Sequence, residues 1–370
     1  MRHTAAVIAT VALLAPSLST QAPVGPTAGL AVELKPTGGR GLTEVHGIRV
    51  GSVTLSERPT GCTVVLVDGE GVPGGVSQRG GAPGTSETDL LHPLNMVDKV
   101  NAIVLAGGSA YGLEARTGVM RYLEEQKMGW RVSTGVVPIV PAAILFDLGF
   151  GKRPDVRPNA ECGYKAVSEA TSGPVAEGNI GAGAGATVGK MGEGRPMKGG
   201  LGSAAFRLPN GLVVAALVAT NGVGDVIDPE TGKVVAGARA PDGKSLLDIR
   251  KSLRNGAADR GSAQPRAGEN TTIAVVATNA RLTKTEINRI ATMADDGFAR
   301  AINPSHTMGD GDTVFALATG RWTGQASVSV VGALAADALA EAIVRAVSKA
   351  ETIEGIPSAK SLGTVPSRIK

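Results

Sequence analysis

The stretch Glu269-Asn270-Thr271-Thr272 leads directly into the apolar run Ile273-Ala274-Val275-Val276-Ala277 and follows a segment rich in Gly, Arg and Pro. The run has the composition of a buried β-strand, because β-branched side chains suit a pleated surface. A Thr that opens such a strand becomes an N-terminal nucleophile, activated by its own amine, if the bond before it is cleaved. Taken alone, the tetrapeptide favours a simpler interpretation, an ordinary strand start after an Asn turn.

Two carboxylates lie downstream, on the approach to a second apolar strand, in the sequence His306-Thr307-Met308-Gly309-Asp310-Gly311-Asp312. A spacing of two places Asp310 and Asp312 on one side of an extended segment. In an amidase such a pair can orient the nucleophile and stabilise an ammonium. Asp-Gly-Asp also resembles part of an EF-hand loop, but the Glu at its end and the flanking helices are missing, so calcium is the minor alternative.

Several segments occur in the order of one known family over about residues 41–350. They are Gly41 to Gly51, Leu105 to Ala115, the Gly-Ala run ending in Lys190, Ala219-Thr220-Asn221, Asn270 to Ile273, and His306 to Asp312. The chain resembles the L-aminopeptidase/D-esterase family of self-processing, N-terminal-nucleophile-type hydrolases, which includes β-peptidyl aminopeptidases. In motif it most resembles the nylon-oligomer (aminohexanoate-oligomer) hydrolases of that family.

The resemblance implies a role for each matching residue. Thr271 takes the place of the nucleophile, and Asn270 is the last residue before the cleavage point. Asn221 matches the side chain of the oxyanion site, where an amide can donate toward developing negative charge. Lys190 matches a lysine near the nucleophile, where a fixed cation depresses a neighbouring pKa or stabilises an oxyanion.

The acidic pair and one aromatic position complete this comparison. Asp310 and Asp312 match the acidic or hydroxyl residues that orient the nucleophile. The family's catalytic tyrosine falls at Phe146 here, so the phenolic hydroxyl is missing. Phe146 is expected to line the substrate pocket. Tyr111 is a conceivable substitute for the hydroxyl, although packing in a glycine turn before a helix is the simpler expectation for it.

The 370 residues favour one large catalytic domain. Hydrophobic residues make up 42% of the chain and aromatic residues 3%, which allows a substantial core built from Val, Ala, Leu and Ile. No linker separates two self-contained periodic blocks. We expect a catalytic domain over residues 41–370, cleaved into 41–270 (α fragment) and 271–370 (β fragment), with a surface loop near 236–269 that ends at the processing site.

Hydrophobic periodicity predicts alternating strands and helices, and hence an α/β or α+β fold. Strand-like runs occupy residues 62–68, 102–106, 212–220, 272–278 and 313–319. Helical patterns occupy residues 113–126, 283–302 and 332–353. The family resemblance implies an αββα sandwich, a fold similar to that of the ornithine acetyltransferases.

The N-terminus has the layout of a secretory signal peptide, with Arg2 before an apolar stretch and a small-residue pattern ending near Ala22. We expect a signal peptide over residues 1–22, a disordered extension over 23–40, and a periplasmic or secreted enzyme. A cytoplasmic enzyme with an Ala-rich extension is the alternative. Cys62 and Cys162 can pair in an oxidising compartment, but Cys62 can equally be an ordinary core thiol.

No metal or organic cofactor is expected. The glycine-rich segment 178–191 fails the Walker pattern, which requires Gly and a hydroxyl residue where the chain has Ala184 and Met191. The four histidines, at positions 3, 46, 92 and 306, have no close metal-ligand spacing. His306 lies near Asp310 and can tune the site, or it is an ordinary core histidine. The net charge of +4 is spread along the chain and lacks aromatic interleaving, which argues against nucleic-acid binding.

These features predict a precursor that cleaves itself at Asn270-Thr271 and then hydrolyses a small amide or peptide substrate, an aminoacyl amide or a nylon oligomer. An acyltransferase of related fold is one alternative. An exported, non-catalytic binding protein on the same scaffold is another. The resemblance also implies a homo-oligomer, a tetramer of αβ units, with no membrane association after signal removal.

Overall fold

Two β-sheets stacked face to face organise the computed structural model of the chain. The structure describes residues 1, 39–191, 194–256 and 269–369. Residues 34–370 form one compact unit. The expected signal peptide and most of the expected extension lie outside the described residues, as does much of the loop before the predicted cleavage point. No helix of the described part is long and apolar enough to cross a membrane.

The strands are numbered β1 to β18 in chain order. They are β1 Ile48–Thr54, β2 Gly61–Val67, β3 Val72–Gln78, β4 Thr85–Ser86, β5 Lys99–Val100, β6 Ala102–Ala106, β7 Trp130–Val132, β8 Gly135–Val137, β9 Ala142–Ile144, β10 Thr187–Val188, β11 Met197–Lys198, β12 Gly200–Arg207, β13 Val213–Thr220, β14 Asp225–Ile227, β15 Val234–Ala236, β16 Ile273–Thr278, β17 Ile302–Asn303 and β18 Thr313–Ala318.

The α-helices are numbered in the same way. They are α1 Ala115–Glu125, α2 Ala160–Ser168, α3 Ile249–Arg254, α4 Lys284–Ala294, α5 Asp296–Ala301, α6 Val328–Lys349 and α7 Ala359–Leu362. Side-chain caps mark where three of them begin: Asn159 caps α2, Thr283 and Glu286 form a capping box on α4, and Ser327 caps α6.

The first sheet has the strand order β1-β2-β6-β9-β4, and the second has the order β12-β13-β16-β18-β3-β5. Most neighbours are antiparallel, but β6 and β9 pair in parallel, and so do β16 and β18. The remaining short strands form two hairpin-like pairs and the three-stranded sheet β15-β14-β17.

Successive side chains of the central strands point to opposite faces of the sheet, and this divides the apolar core into layers. In β16, Ile273 and Val275 point into the apolar layer between the two sheets, whereas Ala274 and Val276 point toward helices α4 and α6. Helices α1 and α2 cover the outer face of the first sheet in the same way. The result is the αββα sandwich, as predicted.

The structure joins Cys62 on β2 to Cys162 on α2 in a disulfide bond, across a sequence separation of 100 residues. Both residues lie in the apolar layer between the first sheet and its helices. The pairing that the sequence left open is therefore present, and it ties helix α2 to the sheet.

The predicted helix over 283–302 is wrong in one respect. It breaks at Asp295 into α4 and α5, and residues 302–303 form strand β17. The carboxylate of Asp295 is fully buried, where it accepts a hydrogen bond of 2.6 Å from Ser77. This tertiary contact accounts for the difference between the predicted and the observed helix, because hydrophobic periodicity along the sequence does not show it. Helix α6 also ends earlier than predicted, because Ala350 is extended.

Helices α1 and α2 cross at two glycines, and this contact predicts a stability effect. A Cβ at Gly163 would lie 1.8 Å from the carbonyl oxygen of Ala115. Gly163→Ala should therefore force the helices apart and lower the free energy of unfolding by about 1–3 kcal/mol. Gly149→Ala is the matched control, since nothing lies within 4 Å of its Cβ position. Equal guanidinium denaturation midpoints for the two variants would contradict this packing.

Candidate functional site

Parallel pairing of β16 with β18 brings the two sequence motifs together. Ile273 pairs with Thr313, so the residues that precede the two strands lie side by side at the same sheet end. Three residues earlier in both segments, Asn270 and Asp310 form an isolated parallel bridge. The predicted cleavage junction and the predicted acidic pair are therefore neighbours, although 40 residues separate Thr272 from Asp312 in sequence.

Thr271 is buried, with 1% of its surface exposed. Its hydroxyl donates a hydrogen bond to the carbonyl oxygen of Asn270, the residue before it. The same carbonyl oxygen accepts a hydrogen bond of 2.9 Å from the backbone amide of Gly311. A backbone donor on a carbonyl oxygen can serve as part of an oxyanion hole, because it can stabilise charge that develops on that oxygen during nucleophilic attack.

The two carboxylates of the acidic pair are buried and bind backbone amides. Asp312 accepts hydrogen bonds from the amides of Thr272 and His306, each at 2.9 Å. Asp310 accepts from the amide of Val223 at 3.2 Å and from the hydroxyl of Thr307 at 2.6 Å. The structure thus places both residues beside the junction, where they fix the backbone around Thr271.

Burial and the neighbouring charge of Asp312 raise the pKa of Asp310 to about 6. Two carboxylates that share a desolvated site resist being ionised together, and one of them retains a proton to higher pH. Among the described residues, no group of three or more His, Cys, Asp or Glu side chains is placed to hold a metal ion.

Asn221 follows strand β13 and lies against the junction through its backbone and its side chain. Its carbonyl oxygen accepts a hydrogen bond of 3.2 Å from the amide of Thr271. Its side-chain oxygen accepts from the amide of Thr187 at 2.9 Å, and its side-chain nitrogen donates to the carbonyl of Phe146 at 3.0 Å. In the uncleaved chain this amide nitrogen is therefore directed at Phe146.

The ammonium group of Lys190 donates to three acceptors at the junction. These are the backbone oxygen of Asn221 at 3.0 Å, its side-chain oxygen at 3.1 Å and the carbonyl oxygen of Glu269 at 3.3 Å. Burial lowers the pKa of Lys190 to about 7, against the opposing influence of nearby carboxylates that include Asp310. The lysine thus contacts Glu269, two residues before Thr271, and its pKa lies near neutral pH.

A cavity of about 230 Å³ opens beside the junction. Phe146, Lys190, Glu269 and Asn270 line it, as do Phe150 and Ile356, which provide apolar surface. Phe146 is thus one of the residues that line this cavity, and its contact with substrate stays a prediction. Tyr111 is not among the lining residues; its ring is exposed and lies 3.8 Å from the guanidinium carbon of Arg157.

Sequence reasoning missed the group that holds the Phe146 carbonyl in place. The next residue, Asp147, is buried in an ion pair with Arg58 at 2.9 Å, and it accepts hydrogen bonds from Thr60 at 2.6 Å and from the amide of Gly108 at 2.8 Å. Arg58 is 89 residues away along the chain. No local pattern connects these residues, so only the folded structure reveals the clamp.

A second buried lysine orders the glycine-rich segment. Lys198 donates to the carbonyl oxygens of Ala186 at 2.7 Å, Gly183 at 3.2 Å and Gly199 at 3.3 Å. An ammonium that satisfies several backbone carbonyls can fix a segment that lacks regular structure. The segment therefore serves to position the backbone that leads to Lys190.

Comparisons with known proteins agree with this arrangement. Peptidase family S58 matches residues 40–360. An uncharacterized aminopeptidase of Mycobacterium leprae (strain TN) is 43% identical over 350 residues, covering 86% of this chain and 92% of that protein. A 6-aminohexanoate-oligomer endohydrolase of Kocuria sp. (strain KY2) is 33% identical over 314 residues, covering 81% and 84%. The chain belongs to peptidase family S58, and the predicted family is confirmed.

A solved structure shows the same fold. The L-aminopeptidase D-Ala-esterase/amidase of Ochrobactrum anthropi, described as a variant of the Ntn hydrolase fold, matches with a TM-score of 0.64 at 20% identity. The match covers 90% of this chain and 98% of that chain. Family and fold together define a hydrolase of the aminopeptidase type that acts on amide bonds.

Gly311 lies so close to Thr271 that a substitution at this glycine tests the site. A Cβ there would lie 2.7 Å from the Thr271 hydroxyl oxygen and 2.6 Å from the carbonyl oxygen of Ala82. Gly311→Ala should displace the hydroxyl or the amide donor and lower the rate of amide hydrolysis about 100-fold or more. Gly173→Ala is the control, because its Cβ would make only an ordinary contact of 3.4 Å. Similar rates for the two variants would contradict the assignment of this site.

Proposed function

We propose that the protein is a self-processing amidase or aminopeptidase in which Thr271 first cleaves the Asn270-Thr271 bond and then attacks small amide substrates. The contact between the Thr271 hydroxyl and the Asn270 carbonyl oxygen, which also accepts from Gly311, carries this proposal. The hydroxyl that would attack, the carbonyl group that it would attack and a hydrogen-bond donor for the oxyanion thus lie together in a buried position. The Gly311 bond alone would be an ordinary ladder hydrogen bond; the Thr271 hydroxyl on the same carbonyl oxygen is what supports a role in attack.

In the proposed self-cleavage, the Thr271 hydroxyl oxygen attacks the carbonyl carbon of Asn270. The carbon–nitrogen bond then breaks, the Thr271 nitrogen takes up a proton, and an ester joins Asn270 to the Thr271 side chain. Water hydrolyses that ester, which leaves a carboxylate on Asn270 and a free hydroxyl and amine on Thr271. The Gly311 amide stabilises the oxyanion during both attacks.

A base other than the Thr271 nitrogen must assist self-cleavage, because that nitrogen is still an amide. Lys190 and Asp310 are the candidates, since their pKa values of about 7 and about 6 allow either group to accept a proton near neutral pH. After cleavage the free amine of Thr271 takes over as base, because an α-amine has a reference pKa of about 7.7 to 8.0.

Substrate would enter through the cavity beside the junction. Glu269 and Asn270 line that cavity in the uncleaved chain, while Thr271 is buried. Movement of Asn270 after cleavage would expose the nucleophile to the space lined by Phe146, Phe150 and Ile356. That space suits a small, largely apolar acyl group. The Kocuria relative, named as acting on 6-aminohexanoate oligomers, supports testing linear amino-acid amides and their oligomers.

Export and assembly complete the proposal. The disulfide between Cys62 and Cys162 supports an oxidising location, periplasmic or extracellular, because such bonds are rare in cytosolic proteins. We retain a homo-oligomer of the paired fragments as part of this proposal. Cell fractionation tests the location, and native mass spectrometry of the purified protein reports the number of fragments per particle.

Replacement of the nucleophile should abolish self-cleavage and catalysis together. Thr271→Ala should give a single uncleaved chain with no amide hydrolysis, whereas Thr271→Ser should still cleave. Thr272→Val is a matched control, because the Thr272 hydroxyl is buried and has no hydrogen-bond partner. Gel electrophoresis and assays with aminoacyl amides and nylon oligomers measure both effects. Normal cleavage of Thr271→Ala would refute the proposal, and product formed only with added amines would indicate an acyltransferase.

Self-cleavage should accelerate as the pH rises from about 5 to 8. Below pH 6 Asp310 holds a proton and Lys190 is an ammonium, so neither can act as base; both lose a proton across this window. The rate should rise about tenfold per pH unit at the acidic end. Fragment formation by precursor from cell-free synthesis measures the rate, and Lys190→Met and Asp310→Asn identify the titrating group. A flat profile would exclude both residues.

A further inference from the structure

His306 lies between two buried carboxylates beneath the nucleophile. Its Nδ1 atom is 3.0 Å from a carboxylate oxygen of Asp312, and its Nε2 atom is 3.6 Å from a carboxylate oxygen of Asp295. Neither ring nitrogen is aligned for a hydrogen bond, so charge at short range is what joins the three groups. The edge of the imidazole ring packs against Phe298 at a centroid distance of 5.7 Å.

The two carboxylates differ in what else they touch. Asp312 reaches toward the nucleophile, because its other oxygen accepts from the amide of Thr272, next to Thr271. Asp295 reaches away from it. Its second oxygen accepts from Ser77 and lies 3.3 Å from the Nε atom of Arg79. His306 thus connects a remote anchored carboxylate with the one that touches the nucleophile's strand.

Charge balance favours a protonated ring at this position. Asp295, Asp310 and Asp312 are all buried, and each ionised carboxylate without a cation is costly to desolvate. Arg79 faces Asp295 from the end of β3, and Asp310 approaches from the same loop as Asp312. Burial alone would lower the pKa of His306, but the close approach of the Asp312 carboxylate and the charge of Asp295 outweigh it and raise the pKa.

The backbone at His306 also has an unusual conformation. Its φ of 56° is in the left-handed region, which is uncommon for residues other than Gly, although Asn, Asp and His adopt it more often than the rest. The conformation lets the backbone amide and the ring of one residue meet the same carboxylate, since both approach the Oδ2 atom of Asp312.

We propose that His306 is a positioning residue whose imidazolium, held between Asp312 and Asp295, orients Asp312 on the Thr272 amide and leaves Asp310 to carry the proton of the acidic pair. This inference rests on the proposed role of Thr271 as nucleophile. His306 touches neither the junction nor the cavity, so it acts through Asp312 alone.

Histidine C2 hydrogen–deuterium exchange, read by peptide mass spectrometry over a pH series, tests the charge bridge without any need for catalysis. In Thr271→Ala protein the exchange midpoint of His306 should lie above the ordinary value of about 6.5. Adding Asp295→Asn should lower it by about one pH unit, while the midpoint of the exposed His92 stays unchanged. An unchanged His306 midpoint in the double variant overturns the proposal.

The pH profile of amide hydrolysis tests the consequence for catalysis. Asn in His306→Asn suits the left-handed backbone but cannot span the two carboxylates. The acidic limb of the pH profile should therefore move up by about one pH unit. The rate of amide hydrolysis should fall about tenfold at pH 6 and by less at pH 8. Asp295→Asn should move the acidic limb of the pH profile in the same direction. If His306→Asn does not fold, the profile of Asp295→Asn tests the proposal in its place.

A loss of the same factor at every pH would mark His306 as merely structural and overturn the proposal. Absence of amide hydrolysis by the wild-type protein would instead count against the proposed function. The exchange measurement would then still decide whether His306 bridges Asp312 and Asp295.

Discussion

The parallel pairing of β16 with β18 is the constraint on which the rest of the site depends. It aligns the start of one strand, where Thr271 lies, with the start of the other, where Asp310 and Asp312 lie. Parallel neighbours require a crossover connection, and helices α4 and α5 provide it while they cover the outer face of the sheet. The same pairing aims the Gly311 amide at the Asn270 carbonyl, so the ladder that stabilises the sheet also builds the site.

Desolvation gives this geometry its chemistry. Several ionisable groups lie in a region where charges are poorly solvated, and their pKa values move toward neutrality as a result: that of Asp310 upward to about 6 and that of Lys190 downward to about 7. Groups of that kind can exchange protons near neutral pH. Hydrogen bonds from backbone amides and the charge of neighbouring cations offset the free-energy cost of burying these charges. The ion pair of Arg58 with Asp147 fixes the adjacent segment.

Much of the architecture could be predicted from local sequence. The strands at 272–278 and 313–319 are continuous apolar runs, and Asn270-Thr271 and Asp310-Gly311-Asp312 are recognisable motifs beside them. The break at Asp295 could not be predicted, because it follows from contacts with Ser77 and His306. The ion pair of Asp147 could not be predicted either, because its partner Arg58 is close in space but distant along the chain. Periodicity identifies elements, while the polar contacts between elements appear only in the fold.

Intact-mass analysis with N-terminal sequencing of the purified wild-type protein tests the central claim most directly. Self-cleavage at Asn270-Thr271 should give two fragments, of which the smaller begins Thr271-Thr272-Ile273 and the larger ends at Asn270. That result would establish the junction, the residue that becomes the nucleophile, and the separation of the two chains in one experiment. A single stable chain that runs through residues 270 and 271 would contradict the account and favour a non-catalytic protein on the same scaffold.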